Sequence, residues 1–288
     1  MNDYVIMTDS GCDISPQTLK DWGIKCVDLT FRNVNSNQTF SNGDVAISDF
    51  YAEMRNGTVF QTSAINPEEY KEAFLEELKN GKDVIYIALS SGLSVTSNSA
   101  QMAALDLSEE GYFKRIAVVD SLCASSGQGL LLYLAVQKKN EGADFATTVK
   151  YLEDTVLKIC HWFTVDDLKY LKRGGRISAA SAFAATVLDI KPVMHMDDEG
   201  HLIAVSKVRG RKQALKAMAE KYQSLAEDPM EGIYFISQGD CMEDALMLEE
   251  MICKKNGKKA SYIADIGPVI GSHSGPGTLA LFFIGKER

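Results

Sequence analysis

The sequence predicts a two-domain α/β protein, with an N-terminal α/β/α domain and a smaller C-terminal α/β domain. In the first half of the 288 residues, apolar segments such as YVIMTDS and DVIYIALSS alternate with helical patterns, which indicates a mostly parallel sheet with helices on its faces. In the second half, IKPVMHMDDEGHLIAVSKV contains two alternating segments around an acidic, glycine-containing turn, which predicts a hairpin and a largely antiparallel or mixed sheet. Because this change marks a domain boundary, we expect domains at residues 1–160 and 161–288.

The clearest single element is a helix that follows Asn66. Asn66 is a favourable N-cap, Pro67 suits the first helical position, and aromatic and leucine side chains recur on one face before an Asn-Gly pair ends the helix. Further helices are expected to begin near Arg209 and Met242. Further strands are predicted at IKCVDLTF, RIAVVDS, GIYFISQGD and GTLALFFIG.

Composition limits the class of partner. Lys and Arg total 30 against 39 Asp and Glu, and the net charge of -9 does not favour general attraction to nucleic acid or to anionic membranes. No segment reaches the ~20 apolar residues of a membrane-spanning helix, and the start of the chain lacks a signal-peptide pattern, so we expect a cytoplasmic protein without stable membrane insertion. The six cysteines contain no C-x-x-C pair, which predicts neither a disulfide framework nor a zinc site.

Hydroxyl and carboxyl side chains follow the predicted strands of the first half. They lie in TDS at 8–10, TS at 62–63, SSGLS at 90–94 and DS at 120–121. In open α/β sheets, ligands bind beyond the carboxyl ends of the strands, although the same residue types also cap helices. We interpret Asp9 and Asp120 with their serines as caps. LSSGLSVTSNSA has more hydroxyls than one cap requires, and Gly92 leaves room for a ligand near the backbone, so this segment is interpreted as a binding site.

Other classes of function remain as alternatives. Ser91 or Ser94 as a nucleophile with His273 as its base would make a small-molecule serine hydrolase, but the G-x-S-x-G motif is missing. A phosphate-binding loop is not indicated, because the chain has no G-x-x-x-x-G-K-[ST]. A regulatory module whose ligand tunes partner binding is neither supported nor excluded.

The second half contains two basic segments and a segment of small residues. In YLKRGGRIS, Arg176 follows a Gly-Gly turn that can present N–H groups and guanidinium groups to an anion, and Arg209 lies in KVRGRKQA. Either basic segment is also compatible with a solvated face. The small and apolar segment at 178–190 is compatible with a packed helix or with the wall of a tunnel.

Four histidines have different surroundings. His161 and His195 lie in apolar segments and are predicted to be core or edge residues, whereas His201 follows the hairpin turn and is predicted to be exposed. His273 lies among glycines in IGSHSGPGTLALFFIG, where its imidazole can donate to an anion or carry charge near neutral pH. The alternative is a histidine that structures the loop.

Together these segments resemble the DegV family over the whole chain. TDSGCDI, TSAINP, SSGLS, VVDS, FTVDDLKYLKRGGRIS, IKPV, RGRKQA and IGPVIGSHSGPGTLALFF occur in the order and spacing of its landmarks. The resemblance implies a lipid carrier that is not itself an enzyme and that holds a long-chain fatty acid in a buried tunnel between two domains. It also implies a FakB-like role, in which the carboxylate is presented to a separate ATP-using subunit of a fatty acid kinase for acyl phosphate formation.

The resemblance also assigns roles to residues. Thr62 and Ser94 are the hydroxyls expected to hold the carboxylate, with His273 beside them, and Arg209 is expected on the partner or phosphoryl-transfer surface. The secondary headgroup or rim residues are Ser63, Ser91, Gly92 and Arg176. We expect no metal and no cofactor, only the bound fatty acid.

The chain departs from the family pattern in two places. Val95 and Ser97 replace residues of the usual SSGLSGTYQSA, which bears on the carboxylate rim. Gln238 replaces the histidine that the family often has in ISHGD, which bears on any role of that ring.

Overall fold

The computed structural model describes residues 3–177 and 189–288, and these residues form an α/β structure with three sheets. The first sheet is parallel and contains, in spatial order, β2 (Ile24–Val27), β1 (Tyr4–Asp9), β6 (Asp83–Ala88) and β7 (Ile116–Asp120). A small antiparallel sheet contains β4 (Thr39–Ser41), β3 (Thr30–Asn33) and β5 (Phe60–Ser63).

The third sheet has six strands and is mixed. Its spatial order is β10 (Leu202–Arg209), β9 (Ile190–Met196), β8 (Ile159–Thr164), β13 (Leu279–Ile284), β11 (Tyr234–Gln238) and β12 (Tyr262–Asp265). Every pair in it is antiparallel except β11 with β12. The predicted α/β class, with a parallel sheet followed by a mixed one, is confirmed. The strands of the parallel sheet end at Asp120 and those of the mixed sheet begin at Ile159, while the domain boundary near residue 160 stays a prediction.

Ten α-helices occur in the described ranges. They are α1 (Pro16–Asp21), α2 (Ile47–Arg55), α3 (Pro67–Lys79), α4 (Thr96–Leu107), α5 (Ser126–Asn140), α6 (Phe145–Thr155), α7 (Lys169–Gly174), α8 (Arg211–Leu225), α9 (Met242–Asn256) and α10 (Pro268–Ser274). Across these ranges, no helix has the length and apolar character needed to cross a membrane.

The helices and the two large sheets form five layers. Helices α3 and α4 cover one face of the parallel sheet, while α5 and α6 cover the other. The mixed sheet packs its inner face on α5 and its outer face on α8 and α9. One apolar core therefore lies on each side of each sheet, and α5 is shared by both sheets.

Local sequence signals account for several of these elements. Asn66 accepts a hydrogen bond from the Glu69 N–H, and the Glu69 carboxylate accepts one from the Asn66 N–H, which is the capping box at the start of α3. The predicted hairpin is the antiparallel pair β9 and β10. The helix expected near Arg209 begins two residues later, at Arg211. Gly210 has a φ of 86°, which is not helical, so it precedes the helix as its N-cap.

Other local predictions are corrected. The segment IKCVDLTF is not one strand, because β2 pairs with the parallel sheet and β3 pairs with the small antiparallel sheet. The chain turns between them at Leu29, whose N–H donates to the Ser10 hydroxyl. Residues 178–188, which hold most of the small and apolar segment, lie outside the described residues, so its interpretation as helix or tunnel wall is not tested.

Candidate functional site

A cavity of about 490 Å³ lies where the carboxyl ends of the parallel strands face the mixed sheet. Both halves of the chain contribute to it, and most of its wall is apolar. Wall residues include Leu89, Leu93, Phe163, Leu202, Val269 and Ala280. Its volume is within the range of roughly 300–1,000 Å³ that is typical of small-molecule sites. We call it the apolar cavity.

Thr62 and His273 meet on the wall of the apolar cavity. Thr62 lies near the end of β5 and His273 lies in the last turn of α10, and Thr62 Oγ1 is 2.8 Å from His273 Nε2. The expectation of a histidine in an open, glycine-rich loop is therefore corrected, since the segment forms a short helix. Pro268 starts this helix at its first position, and Gly275, with a φ of 83°, ends it.

The position of the His273 ring requires a glycine at residue 174. A Cβ atom at Gly174 would lie 2.5 Å from His273 Nδ1, so a residue with a side chain there would displace the imidazole. Gly175 follows as the left-handed cap of α7, with a φ of 71°. The Gly-Gly pair, interpreted from sequence as an anion-binding turn, thus ends a helix and accommodates the ring.

His273 is neutral at physiological pH. Burial, together with the positive charges of Arg176 and Arg173, lowers the pKa of its imidazole from 6.5 to about 4. The expectation of a charged ring near neutral pH is therefore corrected. A neutral imidazole has one N–H donor and one acceptor nitrogen, so His273 contributes hydrogen bonding here and not a formal charge.

The SSGLS loop is held by the turn between β9 and β10. Ser90 donates its hydroxyl to the Gly200 carbonyl at 2.9 Å, and a Cβ atom at Gly92 would lie 2.5 Å from the same carbonyl oxygen. Gly92 is thus required by the approach of this turn, and it also lies on the wall of the apolar cavity. Ser91 and Ser94 lie on the wall of the apolar cavity, and the Ser94 hydroxyl lies 2.7 Å from the Thr96 hydroxyl.

A second cavity, of about 340 Å³, adjoins the first at Thr62, Arg176 and His273, which belong to both walls. Arg32, Arg173 and Ser63 also line it, and we call it the arginine cavity. Arg176 connects the two sides, since its Nε donates to the Leu93 carbonyl of the SSGLS loop at 3.1 Å. The Thr62–His273 pair therefore stands between an apolar space and a basic one.

Arg32 is the residue of this site that sequence reasoning missed. It lies on β3, where antiparallel pairing with β5 places it opposite Gln61, one residue before Thr62. Arg173 belongs to the predicted KRGGR segment, but nothing in the sequence near Arg32 indicates that it reaches the same cavity. The signal is a long-range strand register, which a local pattern does not contain.

Two functional candidates of the sequence lie outside both cavity walls. Arg209 is exposed at the end of β10. Gln238 is buried on β11, where it donates to Asp265 and accepts from the Cys241 N–H at 2.6 Å. Of the other departures, Val95 lies on the wall of the apolar cavity and Ser97 is buried in α4.

The geometry does not favour a serine hydrolase. In the part of the chain that the structure describes, His273 Nε2 is paired with Thr62, and no hydrogen bond joins His273 to Ser91 or Ser94. The same part contains no group of three or more His, Cys, Asp or Glu side chains placed to hold a metal ion. The arrangement offers hydroxyls, a neutral imidazole and guanidinium groups, which suits binding of an anionic headgroup.

The lowered pKa of His273 predicts a specific dependence of stability on pH. Between pH 6.5 and 4 the unfolded chain protonates this histidine and the folded chain does not, so its contribution to stability falls as the pH falls through that window. We expect the unfolding free energy of the wild type to drop by about 3 kcal/mol relative to His273→Gln between pH 7 and pH 4. Urea unfolding of both proteins measures this, and parallel curves for the two would show that the ring is freely protonated in the folded state.

Comparison with known proteins agrees with these landmarks. A family model described as "Uncharacterised protein, DegV family" matches residues 3–286. A DegV domain-containing protein of Clostridium perfringens is 40% identical over 290 residues, which cover 100% of this chain and 99% of that protein.

Solved structures have the same fold. A fatty-acid-binding DegV family protein of Thermus thermophilus aligns with a TM-score of 0.88 at 26% identity, covering 98% of this chain and 99% of that one. A stearic acid-binding protein of Eubacterium ventriosum aligns with a TM-score of 0.87 at 25% identity, covering 98% of each chain. With the family model matching nearly its whole length and a relative at 40% identity, this chain belongs to the DegV family.

Proposed function

We propose that the protein is a non-enzymatic carrier that binds a long-chain fatty acid in the apolar cavity, as a tunnel between two domains, with the carboxylate held by Thr62, Ser94 and His273. The observation that carries this proposal is the Thr62–His273 pair on the wall shared by the two cavities. An acyl chain fits the apolar side, and a carboxylate fits the polar boundary. The fatty acids bound by the family members of Thermus thermophilus and Eubacterium ventriosum support this choice of ligand.

The two ends of the ligand have different roles in this proposal. Burying about 14 methylene groups at roughly 0.8 kcal/mol each contributes on the order of 11 kcal/mol before ordering costs. A single hydroxyl bonded to a carboxylate contributes about 1.5–3 kcal/mol. The acyl chain therefore sets the affinity, and the hydroxyls set the orientation and depth of the carboxylate.

We further propose that the carboxylate is presented to a separate ATP-using subunit of a fatty acid kinase. In that reaction a carboxylate oxygen attacks the γ-phosphorus of ATP, the bond to the β-phosphate oxygen breaks, and acyl phosphate and ADP form. The arginine cavity supports this, because guanidinium groups pair well with phosphate oxygens and Arg32, Arg173 and Arg176 line it. Arg209, exposed on β10, is proposed to lie on the partner surface.

Direct extraction tests the carrier. We expect protein purified under native conditions, then denatured and extracted, to release long-chain fatty acid in a roughly one-to-one ratio, because burial of the chain gives slow release. Mass spectrometry of the extract identifies and quantifies the ligand. Protein that is empty, and that also fails to take up added fatty acid, would contradict the proposal.

The carboxylate anchors can be removed without opening the core. We expect Thr62→Val with Ser94→Ala to weaken fatty acid binding by roughly two to four decades, since each of the two lost hydroxyls contributes about 1.5–3 kcal/mol. Competition with a fluorescent fatty acid measures the affinity, and circular dichroism checks the fold. Ser99→Ala, a serine of α4 that lies outside both cavity walls, is the matched control. Unchanged affinity in the folded double variant would place the carboxylate elsewhere.

The roles of the arginine cavity and of the His273 ring in phosphoryl transfer can be tested separately from fatty acid binding. We expect His273→Ala and Arg173→Ala to retain most fatty acid affinity, because the acyl chain and the two hydroxyl anchors still hold the ligand. Both variants should slow acyl phosphate formation by roughly tenfold or more, because a polar or charge-assisted contact to the reacting phosphate contributes about 1.5–3 kcal/mol. Arg209→Ala is expected to slow the reaction through the partner surface. The assay is phosphoryl transfer from ATP with a purified cognate kinase subunit at saturating fatty acid.

The control for this assay is Arg55→Ala, because Arg55 is exposed, pairs with Asp240 and lies outside both cavity walls. If both His273→Ala and Arg173→Ala turn over at the wild-type rate, the proposed role of these two residues in phosphoryl transfer is wrong. A slowed reaction by Arg55→Ala of the same size would show a general effect of lost positive charge.

A further inference from the structure

His161 is a polar residue on the wall of a cavity that is otherwise mainly apolar. It lies on β8, its side chain is buried with 5% of the residue exposed, and its ring lines the apolar cavity. Its Nδ1 is buried and has no hydrogen-bond partner among the residues that the structure describes. Predicted from sequence as a core or edge residue, it is buried, and it also faces the ligand space. An imidazole without a partner is costly to bury, and the place of this ring on the cavity wall lets a polar group inside the cavity supply a hydrogen bond to it.

In residues 3–177 and 189–288, the neighbours of the His161 ring pack against it but supply no hydrogen-bond partner for Nδ1. Its ring packs against Phe163 and Phe282, with centroids 5.4 and 4.6 Å away. Burial, the charge of Arg288 and the nearby His195 keep the pKa of His161 well below 6.5, so the ring is neutral. Arg288 is itself occupied, because its guanidinium donates to the carbonyls of Leu122, Ile159 and Asp197.

His161 shares its position on the cavity wall with Ser274, whose buried Oγ also lacks a partner among the described residues but lies beside His273. Trp162 Nε1 and Thr164 Oγ1 are also buried without partners, but alternation along β8 places them on the opposite face of the sheet, away from the cavity. Of the polar side chains on β8, His161 is the one whose missing partner can come from a ligand.

The strand register gives the depth of His161. Within the pair of β8 and β13, Phe163 lies opposite Ala280 and His161 lies opposite Phe282. The Thr164–Leu279 end of this pair adjoins α10, since the Thr278 hydroxyl donates to the Ser274 carbonyl, next to His273. His161 is three residues beyond that end, or roughly 10 Å along the strand, which an extended chain of about eight carbons covers at ~1.3 Å of advance per bond.

We propose that the cavity accepts a fatty acid whose chain carries an oxygen, as a hydroxyl or keto group, near its middle, and that His161 is the residue that selects it. This inference rests on the proposed binding of a fatty acid. A neutral imidazole can donate to either oxygen group, or accept from a hydroxyl, while the aromatic rings beside it cannot. An oxygenated chain thus forms a hydrogen bond with His161 that an unsubstituted chain cannot form.

Three acids test the inference: octadecanoic acid, 10-hydroxyoctadecanoic acid and 3-hydroxyoctadecanoic acid. We expect His161→Phe to change the ratio of the dissociation constants of the first two by roughly tenfold or more in favour of the unsubstituted acid, because the hydroxyl then stays unpaired. The ratio of the dissociation constants of the 3-hydroxy acid and octadecanoic acid should be the same in the wild type and in His161→Phe, since the 3-hydroxyl lies near the headgroup. Calorimetry or competition with a fluorescent fatty acid gives the constants.

Phe163→Leu is the matched control, because Phe163 lies on the same strand and the same face and has no polar atom to lose. It should weaken all three acids by similar factors. The wild type provides a second test that needs no variant: when the hydroxyl is moved along the chain, affinity should be highest for a mid-chain position. His161→Leu replaces His161→Phe if the larger ring disturbs the fold.

Equal ratios in the wild type and in His161→Phe would overturn the inference, as would a flat dependence on hydroxyl position in the wild type. Loss of selectivity for the 3-hydroxy acid in place of the 10-hydroxy acid would overturn the assigned depth. If no acid binds to the wild type, the failure is that of fatty acid binding itself. If octadecanoic acid binds well and His161→Phe leaves the selectivity unchanged, fatty acid binding stands and only the role of His161 is wrong.

Discussion

The structure depends on one helix that is buried between two sheets. Helix α5 packs on the parallel sheet on one side and on the mixed sheet on the other. A helix in such a place is mostly apolar, and the side-chain N–H groups of its buried Gln128 donate to the Thr8 hydroxyl and the Ile87 carbonyl. Gly127 lets the helix approach the Phe282 ring, where a Cβ atom would lie 2.8 Å away. The spacing of the two sheets is therefore set by α5.

The apolar cavity follows from where this helix begins. Ala124 and Ser125 immediately precede α5 and line the cavity. The space between the sheets is therefore filled by α5 from Ser126 onward and is open before the helix begins. Ser125 donates to Ser237 of β11, which in turn donates to Ser126, and this chain of hydroxyls joins the start of the helix to the mixed sheet. A ligand space at the carboxyl ends of the parallel strands is thus a consequence of the layer packing.

The sequence contains enough information for the elements and for part of the site. A capping box, an alternating pattern around a turn and apolar segments between helices are local signals, and they predict α3, the β9–β10 hairpin and the parallel sheet. The landmark segments place Thr62, Ser94 and His273 on one wall, although their roles toward a carboxylate stay a proposal. The rest depends on contacts between distant residues. Arg32 reaches the site through strand pairing, and no local pattern encodes this.

The same reason explains why the packing of Gly92 and Gly174 and the neutral state of His273 could not be predicted from the sequence. A glycine in a sequence signals freedom of the backbone, whereas Gly92 and Gly174 are needed because the Gly200 carbonyl and the His273 ring approach them. An imidazole in solution titrates near neutral pH, whereas the folded chain buries this ring beside Arg173 and Arg176 and keeps it neutral. Both properties arise from packing, which exists only after the chain has folded.

A neutral ring at the boundary of the two cavities suits the proposed reaction better than a charged one. A protonated imidazole would form an ion pair with the carboxylate and stabilise its negative charge, which would make the oxygen a poorer nucleophile toward phosphorus. Hydrogen bonds from hydroxyls and a neutral imidazole orient the carboxylate at a smaller loss of nucleophilicity. The positive charge lies instead on arginines of the adjoining cavity, where the phosphate oxygens of a donor would be. In the proposed carrier, orientation of the nucleophile and neutralisation of the phosphate are therefore assigned to different side chains on either side of the Thr62–His273 pair.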